Sequence, residues 1–169
     1  MNFVHGVPQV AVSIGLEDDE GAVVGVIHDV FRDEVFAAGR GEGATLDGDP
    51  ISVSPRGRLT ESLISTGFSY DRQEKADEYA ARVAAVLRTA RGLRRNGSVA
   101  LDLAWVACGR FDAHWEVRVA PWDVAAGFLL VTEAGGTVTA FDGTPADHLE
   151  FVATNGSIHE ELRDLLAGV

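Results

Sequence analysis

The chain has 169 residues, is 46% hydrophobic and carries a formal net charge of −12, so it can bury the core of one domain. The acidic balance argues against a nucleic-acid backbone or an anionic membrane as main partner. The start lacks the basic and apolar regions of a signal peptide, and the best apolar run, Val124 to Val131, is too short to span a bilayer, which makes the cytoplasm the expected location.

In chain order, Gln9 to Leu16 is apolar and β-branched, and a second run, Ala22 to Ile27, follows the turn Glu17-Asp18-Asp19-Glu20-Gly21 at hairpin distance. Glu34 to Ala38 reads as a third strand, and Thr45 to Ile51 carries an Asp-Gly turn between short strands. Gly39-Arg40-Gly41-Glu42-Gly43 reads as a loop, and Ser62 to Thr66 as another strand. From Gln73 to Arg91 the apolar positions Ala76, Tyr79, Ala80, Val83, Leu87 and Ala90 recur at helical steps, predicting a surface amphipathic helix. A second helix runs from Ser98 to Cys108 and stops at Gly109; Cys108, the only cysteine, reads there as a small buried hydrophobe. Ala113, Trp115, Val117 and Val119 alternate with His114, Glu116 and Arg118, the period of a half-buried strand. A helix from Asp123 to Ala134 ends at Gly135-Gly136. Thr137 to Phe141 and Phe151 to Thr154 are extended, and Ser157 with Glu160 predicts a capping box for the closing helix. Strands and single helices interleave without linker or repeat, which predicts a layered α/β class.

Three constellations can carry chemistry. Asp123 stands at the mouth of a helix where free N–H groups and the dipole gather, and Ala125, Ala126 and Gly127 leave room for a polar ligand; a hard cation such as Mg²⁺ suits that carboxylate. An ordinary N-cap is the commoner reason for Asp at such a place. Glu116, just upstream, can accept hydrogen bonds from polyol hydroxyls, or can be a solvated residue paired with Arg118. Arg95-Asn96-Gly97-Ser98-Val99-Ala100 turns into a helix with a glycine that lets main-chain N–H groups approach a ligand, and it is also a good cap. The cluster Arg91, Arg94, Arg95 either attracts phosphate or is a solvated turn. The five histidines are dispersed, without the spacing of a zinc site.

These residues resemble the inositol monophosphatase family. The resemblance rests on Asn2 to Gly6, Val10 to Leu16, Arg40 to Ala44, Gly97-Ser98, Trp115-Glu116, Pro121 to Gly127 and Glu133 to Gly136, in the family's order over nearly the whole chain. It implies a Mg²⁺-dependent phosphomonoesterase on an αβαβα layered sandwich, usually a homodimer, acting on a small-molecule phosphate monoester. It gives Asp123 the role of metal ligand, Glu116 that of binding a ring hydroxyl, and Gly97, Ser98 and Val99 the lining of the same pocket. Inositol monophosphate is the favoured substrate; fructose 1,6-bisphosphate, histidinol phosphate and phosphoadenosine phosphate are handled by relatives.

One departure is serious. Members carry a D-P-x-D-G-T element before the asparagine matching Asn2, and an earlier glutamate, which supply most of the metal ligands; Met1 already stands beyond that element. One carboxylate cannot hold two cations against their hydration, so residues 1–169 read as a partial domain with little or no activity alone. The expected cause is a misplaced start codon or a shortened gene; the alternative is a noncatalytic remnant serving as a binding or dimerisation module. Either way the piece should expose apolar surface and an unpaired strand edge.

Overall fold

Alternating apolar residues and tight turns fold residues 11–50 into an antiparallel meander of β1 (Ala11–Asp18), β2 (Gly21–Asp29), β3 (Glu34–Gly39), β4 (Gly43–Leu46) and β5 (Asp49–Pro50), paired in that order. This is a computed structural model describing residues 1–169. Asp47 and Gly48 both take positive φ (53° and 88°), the backbone that a two-residue hairpin requires.

The rest of the chain is β6 (Leu63–Thr66), α1 (Ala76–Thr89), β7 (Gly92–Arg94), α2 (Val99–Ala107), β8 (Ala113–Val117), α3 (Pro121–Glu133), β9 (Thr137–Thr139), β10 (Glu150–Thr154) and α4 (His159–Ala167). Its strands form a second sheet in the order β7-β6-β8-β10-β9, with β6 parallel to β7 and β8, and β10 antiparallel to β8 and β9. Helices α2 and α3 lie between the sheets, packed around Leu101, Leu103, Leu130, Ile27, Phe36 and Phe151. Helices α1 and α4 cover the far face, around Trp115, Val86, Val152, Leu162 and Leu166. The layers are therefore sheet, helices, sheet, helices, which is the expected layered α/β sandwich with one face of the first sheet left bare.

That bare face carries Val12, Ile14 and Leu16 of edge strand β1 with Val24 and Val35, all exposed. Exposed apolar surface and an open edge were both expected, and both are present.

Four local expectations are corrected. Strand β8 is buried on both faces, because helices pack on each side of its sheet, so apolar alternation along it does not separate core from solvent. Ala125, Ala126 and Gly127 do not make room for a ligand; they seat α3. A Cβ on Gly15 would stand 2.9 Å from the Ala125 Cβ, one on Gly25 2.8 Å from the Ala126 carbonyl, and one on Gly127 2.5 Å from Leu103. The Ser157–Glu160 capping box does not form, since α4 starts after Ile158 with no side-chain cap. The run holding Arg91, Arg94 and Arg95 is not only a turn, since residues 92–94 within it add edge strand β7 beside β6. No helix is long and apolar enough to cross a membrane.

Candidate functional site

Asp123, Glu116, Gly97, Ser98 and Val99 come together on one cavity of about 600 Å³. It opens where the chain leaves β6 at Gly67, enters α2 at Ser98, and passes from β8 into α3. The second sheet thus brings together residues remote in sequence, and the start of the chain closes one side. The Asn2 side-chain amide donates to the carbonyls of Gln9, Asn96 and Gly97 at 2.9, 3.0 and 3.2 Å, fixing the turn before α2. Gly97 has φ +81°, and a Cβ there would meet the Arg95 guanidinium at 2.7 Å and the Asn2 side chain at 3.2 Å. Ser98 is the residue before α2, but its hydroxyl caps nothing.

Asp123 is the third residue of α3, not its N-cap, which is Ala120. Its Oδ2 accepts a long hydrogen bond, 3.3 Å, from the Ala120 N–H while the side chain still faces the cavity. The carboxylate therefore meets a main-chain N–H of the helix start and lines the cavity at the same time. Burial raises its pKa, the Ala120 amide opposes that, and the neighbouring Glu116 charge raises it further. A carboxylate destabilised in this way favours a cation beside it.

Glu116 does not pair with Arg118. Strand β8 ends at Val117, and Arg118 takes a left-handed φ of 56°, which turns its guanidinium to Asp71 at 2.6 Å and Glu78 at 3.3 Å. Glu116 instead lies almost buried on the face toward α2 and α3, its Oε2 3.4 Å from the His114 Nε2. Its carboxylate rests on Gly67, where a Cβ would come within 2.2 Å of the carboxyl carbon and both oxygens.

The basic cluster divides. Arg95 lines the cavity with its guanidinium 5.6 Å from the Phe68 ring centre, and Arg72 joins it from the loop after β6. Neither is in an ion pair, so both remain available to an anion. Arg91 and Arg94 face a separate cleft with Arg56 and Arg110 at the other end of the sheet. Cys108 is partly buried against the Trp105 carbonyl, and burial raises its thiol pKa, as suits an inert cysteine.

Several residues of the site escape a reading by motif. Asp102, His114, Gly67 and Arg72 all lie at or under the cavity. Asp102 alone leaves a signal, since it is the lone acid in the apolar run Val99–Ala107. Buried at 1% exposure, it accepts a 2.7 Å hydrogen bond from Asn96. Burial pushes its pKa up to about 6, against the pull of His114 and Asn96.

No group of three or more His, Cys, Asp or Glu side chains is placed to hold a metal ion. Asp123 offers one carboxylate where a small hard cation needs several oxygen donors. The donors present do not suffice for a Mg²⁺ site.

Sequence and structure comparisons agree with this architecture. The pattern of the inositol monophosphatase family matches residues 1–168. The chain is 46% identical over 168 residues to an inositol-1-monophosphatase of Synechocystis sp., covering 98% of this chain and 58% of that protein. It is 45% identical over 145 residues to Nus factor SuhB of Pseudomonas aeruginosa, covering 85% of this chain and 54% of that one. Among solved structures, inositol monophosphatase from Anabaena (Nostoc) sp. superposes with a TM-score of 0.96 at 48% identity, over 99% of this chain and 68% of that chain. SuhB of Mycobacterium tuberculosis gives 0.88 at 38% identity, over 99% and 67%. The chain thus spans somewhat over half the length of the curated relatives it matches.

Proposed function

Because the chain belongs to the inositol monophosphatase family, we propose that it forms the polyol-binding side of a Mg²⁺-dependent phosphomonoesterase site whose favoured substrate is inositol monophosphate. The observation that carries this reading is the convergence of Glu116, Asp123 and the Gly97-Ser98-Val99 turn on one cavity. Glu116 accepts hydrogen bonds from ring hydroxyls, the turn lines the ring through its backbone, and Arg72 and Arg95 supply positive charge for the phosphate. Asp123 contributes one carboxylate to a cation cage that needs others beyond those in the cavity, and the chemistry such a cage supplies is activation of water and stabilisation of the leaving alkoxide. With Asp123 as its only carboxylate for that cage, the 169-residue chain alone has little or no phosphatase activity. A cytoplasmic location and a homodimer belong to the same reading.

The test is titration of the isotopically labelled chain with myo-inositol 1-phosphate, followed by amide NMR. Shifts at Gly67, Gly97, Glu116 and Asp123 that vanish in Glu116→Ala support the reading. A stronger response to fructose 1,6-bisphosphate, histidinol phosphate or phosphoadenosine phosphate reassigns the substrate. Brisk Mg²⁺-dependent phosphate release by the chain overturns the expected inactivity. The bare face of Val12, Ile14 and Leu16 favours a second reading, a noncatalytic binding or dimerisation module. Silence toward every ester, with a dimeric mass in sedimentation, selects it.

A further inference from the structure

His114 is fully buried, and its imidazole sits between two carboxylates at the floor of the cavity. Its Nδ1 is 2.9 Å from the Ser65 hydroxyl and 3.9 Å from Asp102 Oδ2. Its Nε2 makes no hydrogen bond, and Glu116 Oε2 lies 3.4 Å from it. The Phe151 ring, with its centre 5.6 Å away, holds the imidazole from the β10 side. A buried polar nitrogen is costly to leave unmade, so the direction of this one needs a reason.

We propose that His114 is a positioning residue: its Nε2–H donates toward Glu116 Oε2, pins the carboxylate against Gly67, and leaves Oε1 free to take a hydroxyl of the ligand. The inference rests on the polyol-binding reading of Glu116. Two tautomers of the neutral ring are possible, and the surroundings distinguish them. With the proton on Nδ1, that nitrogen would donate to Ser65 and the Nε2 lone pair would face carboxylate oxygen in a site of low polarity. With the proton on Nε2, the Ser65 hydroxyl donates to Nδ1 and the N–H meets the carboxylate. The second arrangement puts the proton at the nearer carboxylate, 3.4 Å away at Glu116, and leaves the Nδ1 lone pair to the Ser65 hydroxyl, with Asp102 farther off at 3.9 Å, so it is the less repulsive of the two.

The Gly67 wall adds an independent constraint. Because a Cβ at that position would stand 2.2 Å from the carboxylate, Glu116 has no freedom on that side, and the imidazole stands 3.4 Å from one of its oxygens. Wall and donor together fix which oxygen faces the ligand, so His114 acts on selectivity for hydroxylated ligands through Glu116, without touching the ligand.

The experiment uses the 169-residue chain, long-range ¹H–¹⁵N NMR of the imidazole, and titration with myo-inositol, which needs no metal. The expected spectrum shows His114 Nε2 protonated and Nδ1 unprotonated in the neutral ring, with the Nε2 signal displaced in Glu116→Gln. His114→Gln, which places an amide N–H near the same point, keeps inositol binding within about threefold, whereas His114→Phe, which keeps the ring and loses the donor, weakens it about tenfold or more. A protonated Nδ1 in the wild-type chain, or equal binding by the Phe and Gln variants, overturns the proposal. Wild-type chain that ignores inositol while showing the Nε2–H tautomer displaced by Glu116→Gln sinks the polyol reading and leaves the His114–Glu116 contact standing.

Discussion

The Glu116 carboxylate lies flat against Gly67, with no space between them for a single carbon. Gly67 follows directly on β6 and has no left-handed backbone, so the requirement for glycine there is steric, not conformational. Gly67→Ala forces the carboxylate off its seat and costs about 1–3 kcal/mol of stability as an overpacked site. Urea denaturation reads that cost, and the same variant should no longer show inositol-dependent shifts. An alanine variant of unchanged stability and binding would mean that Glu116 is free to move.

Asp102 predicts a pH dependence. Its pKa is pushed from the usual 3.8 up to about 6, chiefly by burial. Between those values the folded chain holds a proton that the unfolded chain releases, so this group makes stability fall as pH rises through the window and stay lower above it. Asp102→Asn removes that cost: the variant is more stable than wild type above about pH 6, on the order of 2 kcal/mol, and the difference closes below about pH 4. Denaturant midpoints of both proteins across pH 4 to 8 check it; a variant that is less stable throughout would show that the ionised carboxylate is needed by His114 and Asn96.

Much of this architecture was legible because the local signals agree with the fold. The meander of β1 to β5, the amphipathic α1 and the glycine stop after α3 follow from alternation, helical period and turn chemistry, and the structure differs there only at element ends. Strand β8 misled because its sheet has helices on both faces, which erases the difference between core and solvent sides. The three-residue β7 leaves no periodic signal at all, and its place comes from the edge of β6. In the site, Asp123, Glu116 and the Gly97 turn are visible because each carries its own local signal: a carboxylate at a helix mouth, a charged residue within a strand, a glycine before a helix. Gly67 is not, because its neighbour Glu116 is seen only when β6 and β8 lie side by side, and His114, two residues from Glu116 on β8, reads as an ordinary member of the strand's alternation.

Glu133 has a structural part that its motif does not announce. Its carboxylate accepts hydrogen bonds from the N–H groups of Gly41 (2.8 Å) and Gly43 (2.9 Å), tying the end of α3 to the turn between β3 and β4. Both glycines have positive φ, so the two amides converge in a small anion-binding nest. Glu133→Gln, which can satisfy one of the two donors, should cost about 1 kcal/mol, and Glu133→Ala about 2 kcal/mol, since charge-assisted bonds are the stronger kind. Hydrogen exchange at Gly41 and Gly43 provides the local reading: both amides lose protection in the alanine variant while the α1 amides keep theirs.

Asp123 separates a structural from a functional carboxylate by the sign of one measurement. An Asp that exists to satisfy a helix start costs about 1 kcal/mol when replaced, because its oxygen holds an orphan N–H. Here that bond is long, 3.3 Å, and the carboxylate is raised in pKa first by burial and then by the charge of Glu116. For a carboxylate with its folded pKa above the unfolded value, ionisation at neutral pH works against folding, and the cost disappears as pH falls below the unfolded pKa. Asp123→Asn keeps an oxygen for the Ala120 N–H and removes the charge, so it should leave stability unchanged or raise it at pH 7, with the gain lost near pH 3. Thermal unfolding of the two proteins at both pH values decides. A clear loss of stability at pH 7 would return Asp123 to the ranks of ordinary helix caps, whereas a gain would mark a residue kept at the expense of folding, as a cation ligand waiting for its partners would be.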